Sequence, residues 1–310
     1  NQTRGYTSLG MSSAVPSSVE AWVDALEAVG YFADRRLATA VHLAVKLERP
    51  LLLEGAPGVG KTELAKAIAR VLSRDMVRLQ CYDGLDQRDA LYEWNYAAQM
   101  LHARLMQSSA TADEIEASLY SDKYLIARPL LQALQAPAPG AVLLIDELDR
   151  ADEPFEAFLL EYLGELQVSI PAFGTIRAER APITILTSNR TRDLNDAVKR
   201  RCLFHWLDFP SRNRELSIVR ARLPEVGVQL AKQVTTFVQR MRASAAEVGL
   251  GRAPGIAETL EWARALTALN VGDLGASAVT DTVGVLLKDA NDWQRIEPHV
   301  ATWLVAEDSP

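Results

Sequence analysis

Gly55-Ala56-Pro57-Gly58-Val59-Gly60-Lys61-Thr62 is the stretch on which the reading of this chain turns. A glycine followed at fixed spacing by Gly-Lys-Thr is a phosphate-binding loop when a strand precedes it and a helix follows. Both flanks fit. Residues 50–54, Pro-Leu-Leu-Leu-Glu, are a short apolar run, and residues 64–72 repeat apolar side chains at helical spacing. The glycines let the backbone wrap so that several N–H groups point inward at phosphate oxygens, and the helix N-terminus adds its positive end. Lys61 is expected to reach the β- and γ-phosphates of ATP, and the Thr62 hydroxyl to hold Mg²⁺. The plain alternative is a Gly-rich turn before a helix, and four matched positions in the right context argue against it.

Outward from the loop, strand and helix patterns alternate. Residues 76–80 read as a strand, 83–95 as an irregular acidic insert, and 96–135 as helical stretches. Ala136-Pro137-Ala138-Pro139-Gly140 breaks the last of these and launches 141–146, an apolar run short enough for a buried strand. Residues 183–188 and 203–207 are further strand candidates. This alternation implies an α/β fold: a parallel sheet flanked by helices on both faces. Before the loop, 19–26 and 37–47 suit two helices. After Pro210 only helical patterns remain, at 212–222, 230–247, 256–269, 279–287 and near Val300, which predicts a small C-terminal all-α unit. The organisation expected is a disordered arm over 1–18, an α/β domain over 19–209 and a helical domain over 210–310, with Met11 a candidate start residue.

The chain has 310 residues, 48% of them hydrophobic and 24% charged, with a net charge of −7. That balance suits a globular protein and gives no general affinity for nucleic acid or an anionic membrane. The two cysteines stand alone in their stretches, so no disulfide framework or paired-cysteine zinc motif can be written, and a reducing cytoplasm is expected. No apolar run approaches the ~18 residues of a membrane span.

Two further groups join the loop. Ala141-Val142-Leu143-Leu144-Ile145-Asp146-Glu147 delivers adjacent carboxylates at a strand's C-terminal end. Asp146 is expected to hold Mg²⁺ and Glu147 to orient and polarise an attacking water; a solvated acidic helix start is the competing reading. Asn189, just past the strand at 183–188, is placed either to hold that water or the γ-phosphate, or to close the strand with an Asx turn. Lys199-Arg200-Arg201 ends a short helix before the last strand; such a cluster is often only a solvated helix C-terminus.

With these groups in this order, the chain resembles the AAA+ ATPases, and over nearly its whole length their MoxR branch. Cys81-Tyr82-Asp83-Gly84-Leu85, Ala90-Leu91-Tyr92-Glu93-Trp94-Asn95, Asp146-Glu147-Leu148-Asp149-Arg150-Ala151 and Lys199-Arg200-Arg201-Cys202 look like the CoxD-type subgroup, associated with maturing the metal centre of aerobic carbon monoxide dehydrogenase. The resemblance implies an α/β ATPase core, a helical lid and a homo-oligomeric ring, commonly a hexamer, with nucleotide between subunits. It makes residues 55–62, with Glu63 following, Walker A; Asp146 and Glu147 Walker B; and Asn189 sensor 1. Arg201 becomes the arginine finger, with Arg200 able to share the role. Arg252, in Gly251-Arg252-Ala253-Pro254-Gly255-Ile256, is taken as sensor 2, although that segment departs from the usual form.

The family also carries a pore-facing insert, expected within 84–95, and a hairpin before sensor 1, expected over 166–177. Tyr92, Trp94 and Phe173 in these stretches either grip a partner or belong to the core. Tyr31 and Phe32 either pack on adenine or staple a helix. The leading expectation is a chaperone-like ATPase that works on a client metalloenzyme with a von Willebrand factor A domain protein. A nucleic-acid motor is the second reading, opposed by the acidic balance and the absence of a basic tail. A binding switch without turnover is the third, opposed by Glu147 and Arg201.

Overall fold

The computed structural model describes residues 15–106, 111 and 118–305. The expected arm therefore lies outside the described residues up to residue 14, together with Met11; Ser18 at its end caps the first helix by accepting from the Ala21 N–H. The strands are β1 (Leu51–Glu54), β2 (Met76–Gln80), β3 (Tyr92–Trp94), β4 (Leu125–Ala127), β5 (Val142–Asp146), β6 (Gln167–Ile170), β7 (Gly174–Arg177), β8 (Ile183–Ser188) and β9 (Leu203–Trp206). Five of them form one sheet in the order β2-β5-β8-β1-β9, with every pair parallel.

The inner strands β1, β5 and β8 are buried along their whole length, as strands covered on both faces must be, while the edge strands β2 and β9 are partly exposed. Successive residues face opposite sides. Leu51, Leu53, Val142, Leu144 and Ile185 pack on helices α1 (Val19–Ala28), α2 (Arg35–Lys46) and α3 (Lys61–Leu72). Leu52, Leu143, Ile145 and Leu186 pack instead on α6 (Pro129–Leu134) and α7 (Glu153–Glu165). Because the strands run in parallel, the C-terminal ends of β1, β5 and β8 come together at one edge of the sheet, where residues 55, 146 and 189 all lie.

The stretch 96–135 departs from its reading as helices. After α4 (Gln87–Ala90) and α5 (Tyr96–Met106), β4 pairs antiparallel with β3, Trp94 opposite Leu125. Three residues carry too little periodicity to announce a strand, and the partner that stabilises it lies some thirty residues away. β6 and β7 form the expected hairpin, with Gln167 opposite Arg177. The two small sheets meet through aromatic rings: Trp94 is buried and its centroid lies 6.2 Å from Phe173 and 6.0 Å from Tyr92. These three side chains thus belong to the core or pack against it.

After α8 (Asp196–Arg201) and β9, the chain is helical: α9 (Arg212–Arg222), α10 (Val228–Val248), α11 (Ile256–Ala268), α12 (Ala276–Leu286), α13 (Ala290–Ile296) and α14 (Val300–Val305). Their apolar faces, including Phe237, Trp262 and Val279, close a separate core. Helix α13 was not expected; it is short, and its one local signal is Asp289, whose carboxylate accepts from the Asn291 N–H. No helix among the described residues is long and apolar enough to cross a membrane.

Candidate active site

The loop leaving β1 takes its shape from glycines. Gly58 and Gly60 have φ of +80° and +101°, a region costly for residues with a Cβ, and Gly60 starts α3 from that conformation. Lys61, the first residue of α3, is 6% exposed. Its ammonium donates to the Gly55 carbonyl at 2.7 Å, the Ala56 carbonyl at 2.9 Å and Asn189 Oδ1 at 2.8 Å. It makes no ion pair among the described residues. Burial pushes its pKa down to about 8, against the opposing pull of Asp149, Asp146 and Glu147.

Thr62 donates to Asp146 Oδ1 and Oδ2 at 3.0 and 3.2 Å. The same buried carboxylate accepts from Thr187 at 2.6 Å and from Arg78 at 2.6 and 3.1 Å. Glu147 leaves β5 in the left-handed region, φ +56°, a strain held by its N–H donating to Thr187 Oγ1 at 2.8 Å. That turn brings its carboxylate to Asn189 Nδ2 at 3.3 Å and Gln80 Nε2 at 2.9 Å. Asn189 therefore touches both Lys61 and Glu147, which an Asx turn closing the strand does not require.

These groups line a cleft of about 320 Å³ between the sheet edge and the C-terminal helices. Pro57, Gly58, Val59, Gly60, Lys61, Thr62 and Glu63 line it along with Asp146, Glu147 and Asn189; Gly55 and Ala56 contribute carbonyls to Lys61 from behind. Tyr31 and Phe32 form part of its wall, and the Tyr31 hydroxyl donates to the Gly60 carbonyl at 3.4 Å. Burial holds the Tyr31 phenol well above its ordinary pKa, so it stays protonated. Leu207, Ile218 and Leu260 add apolar surface to the lining, which a flat base needs.

Arg252 does not line the cleft. It is largely exposed and paired with Glu258 at 3.5 Å, although its charge still reaches Lys61 and lowers its pKa slightly. At the position facing the loop stands Gly255, so close to Gly58 that a Cβ on it would lie 2.8 Å from the Gly58 Cα. The Ile256 N–H donates to the Gly58 carbonyl at 2.9 Å. The helical unit's cations in the cleft are instead Arg214, paired with Asp34 at 3.0 Å, and Arg222, paired with Glu63 at 2.8 Å. Sequence reading missed both because α9 is rich in arginine and nothing local marks two of them as inward. Gln80 and Arg78 carry no local signal either: only the β2–β5 register sets them beside Asp146 and Glu147.

Arg200 and Arg201 are exposed and lie outside their own cleft. The Arg201 guanidinium donates to the Ala197 carbonyl of its own helix at 3.1 Å.

Thr62 and Asp146 fit Mg²⁺: they offer hard oxygens side by side, and this ion takes one or two protein ligands and completes its shell with phosphate and water. A buried ammonium held only by neutral oxygens, beside a glycine-built concavity, fits a phosphate chain.

Residues 50–202 match the AAA domain (dynein-related subfamily). A stretch of 133 residues, 40% of this chain, is 33% identical to the Lon protease of Halothermothrix orenii and spans 14% of it. Another of 54 residues, 17% of this chain, is 41% identical to Midasin of Giardia intestinalis and spans 1% of it. The chain thus corresponds to a minor part of either relative's length. Among solved structures, a mutant of RuvB from Thermotoga maritima aligns over 89% of this chain and 75% of that one, with 21% identity and a TM-score of 0.47. The loop, the carboxylate strand and the strand-end asparagine all fall inside 50–202, the part of the chain that is similar to this AAA domain, and the parallel sheet that carries them is a P-loop NTPase fold of the AAA+ type.

Proposed function

We propose that this protein is a Mg²⁺-dependent ATPase of the MoxR type, which hydrolyses ATP between the subunits of a ring, expected to be hexameric, to remodel or mature a client metalloenzyme. The observation that carries the ATPase reading is Lys61: a buried ammonium without a carboxylate partner, within one hydrogen bond of Asn189 and next to the Thr62–Asp146 pair. In this reading Lys61 exchanges its contacts with neutral carbonyls for charged phosphate oxygens, and Thr62 and Asp146 hold Mg²⁺, which when bound offsets charge on the β- and γ-phosphates. Glu147 orients a water and accepts its proton as the γ-phosphorus forms a bond to that oxygen and loses its bond to the bridging oxygen, leaving ADP and phosphate. Asn189 keeps the Glu147 carboxylate aimed.

Arg201, exposed and outside its own cleft, suits a finger offered to a neighbour, with Arg200 beside it. The CoxD-type stretches support aerobic carbon monoxide dehydrogenase as the client and a von Willebrand factor A domain protein as the partner. The test is phosphate release from ATP by Lys61→Ala and by the unaltered protein with and without a chelator of Mg²⁺. Both losses are expected to be nearly complete, because without the ammonium the phosphate charge stays unpaired in a desolvated site. Undiminished turnover in Lys61→Ala overturns the reading.

A further inference from the structure

Residues 189–195 join the two ends of the proposed chemistry. At one end Asn189 touches Lys61 and Glu147; at the other, Asn195 caps α8, which ends in Arg200 and Arg201. Two buried carboxylates grip this segment. Asp149 holds the near end, accepting from the Asn189 N–H at 3.1 Å, the Thr191 N–H at 2.8 Å and the Thr191 hydroxyl at 2.7 Å. Burial alone raises the pKa of Asp149, and those donors outweigh it, so the carboxylate stays ionised.

Glu156, on α7 and fully buried, holds the far end. Its Oε2 accepts from the Asn195 N–H at 2.7 Å, and its Oε1 pairs with the Arg192 guanidinium. Arg192 in turn donates to the Ala151 carbonyl through Nε at 3.1 Å. A buried carboxylate is tolerated when it is paired and hydrogen-bonded; here Oε2 takes the hydrogen bond, and Oε1, which has no hydrogen-bond donor of good geometry, depends on the charge of Arg192 alone. Helix α7 meets α8 a second time. A Cβ on Gly164, two turns further along, would lie 3.4 Å from Arg201 Nε, so the helix that carries Glu156 also abuts the Arg201 side chain.

We propose that Glu156 is a positioning residue: through Asn195 and Arg192 it sets α8 on α7, and so holds Arg201 in register with Asn189 of the same subunit. The arginine a subunit offers its neighbour is thereby set from that subunit's own nucleotide loop. This rests on the reading of Arg201 as a finger acting in trans.

Glu156→Gln keeps the acceptor for Asn195 and loses the charge facing Arg192; Glu156→Ala loses both. Arg192→Lys keeps the charge and loses the fork that spans Ala151 and Glu156. ATP affinity by calorimetry is expected to stay within about twofold, while kcat falls on the order of 10–100-fold for Glu156→Ala, as for a catalytic group displaced by about an ångström, and less for the other two. An unchanged kcat overturns the inference, and so does a loss of ATP affinity that parallels the loss of turnover. Should the alanine variant fail to fold, the other two carry the test.

The decisive readout is mixing. Glu156→Ala subunits have an intact P-loop, and Lys61→Ala subunits have an intact, well-placed finger, so mixed rings contain complete interfaces and hydrolysis recovers. If Arg201→Ala mixed with Lys61→Ala recovers and Glu156→Ala does not, Glu156 serves its own P-loop and the inference falls. If neither mixture recovers, action in trans falls and takes the inference with it.

Discussion

Lys61 concentrates the chemistry of the cleft in one titration. Its pKa, pushed down to about 8 by burial, lies below the unfolded value of 10.5. Between those values the unfolded chain holds more protons, so the ligand-free protein gains stability from this group as pH rises through the window, and below about pH 8 it carries the cost of a buried charge. Phosphate needs the charged form. ATP affinity is therefore expected to weaken above about pH 8, approaching tenfold per pH unit, with proton uptake on binding at pH 8.5–9. Calorimetry in two buffers of different ionisation enthalpy measures both, and an affinity flat from about pH 7 to 9.5 contradicts the assignment. Glu147 makes the complementary case. Glu147→Gln keeps the size of the side chain and one acceptor oxygen, enough for Asn189 or Gln80 but not for both, and loses the proton acceptor, so ATP binding should persist while turnover falls by about 10²–10⁴. Loss of binding in that variant would assign Glu147 a structural role.

At the scale of elements, the loop and helix α11 meet backbone to backbone. Gly255 has extended torsions that any residue adopts, so what an alanine there meets is the Gly58 backbone and not conformational strain. Gly275, the N-cap of α12, has nothing within 4 Å of an added Cβ and serves as the control. Overpacking at such a contact costs about 1–3 kcal/mol. Gly255→Ala should therefore weaken ATP binding by about tenfold by separating α11 from the loop, whereas Gly275→Ala leaves it unchanged. Equal affinity in both variants would mean that closure of this contact is not part of nucleotide binding. The ion pairs Arg214–Asp34 and Arg222–Glu63 bridge the same two units elsewhere along the cleft.

At the scale of the whole molecule, the site as one chain presents it has no arginine of α8 in it. An arginine finger contributes about 10³–10⁵ in rate in other P-loop systems. Arg201→Ala should thus lose most hydrolysis and keep ATP binding. Mixed with Lys61→Ala subunits, it should regain part of the activity, increasingly with total protein concentration, because one kind of interface is then complete. No recovery in demonstrated mixed rings would move the role to Arg200 or make the pair structural.

Local chemistry along the chain already encodes much of the fold and of the cleft. The loop, its strand and its helix were legible from four fixed positions between an apolar run and a helical repeat. β5 with Asp146 and Glu147, β8 with Asn189, and the switch to helices after Pro210 were legible from the length of apolar runs and from glycine and proline punctuation. Contacts between partners distant along the chain emerge only in the folded molecule. β4 exists because β3 pairs with it; Trp94 is buried, with Phe173 packed against it, because two small sheets meet there. Arg252 points away while Arg214 and Arg222 face the cleft, because the packing of the helical unit, not the order of its residues, sets which cations turn inward. Nothing in the sequence around Glu156 sets it apart from the other carboxylates; the fold does so by burying it against Asn195 and Arg192. Periodicity reports which face of an element is apolar, and the identity of the group across from it is a property of the assembled fold.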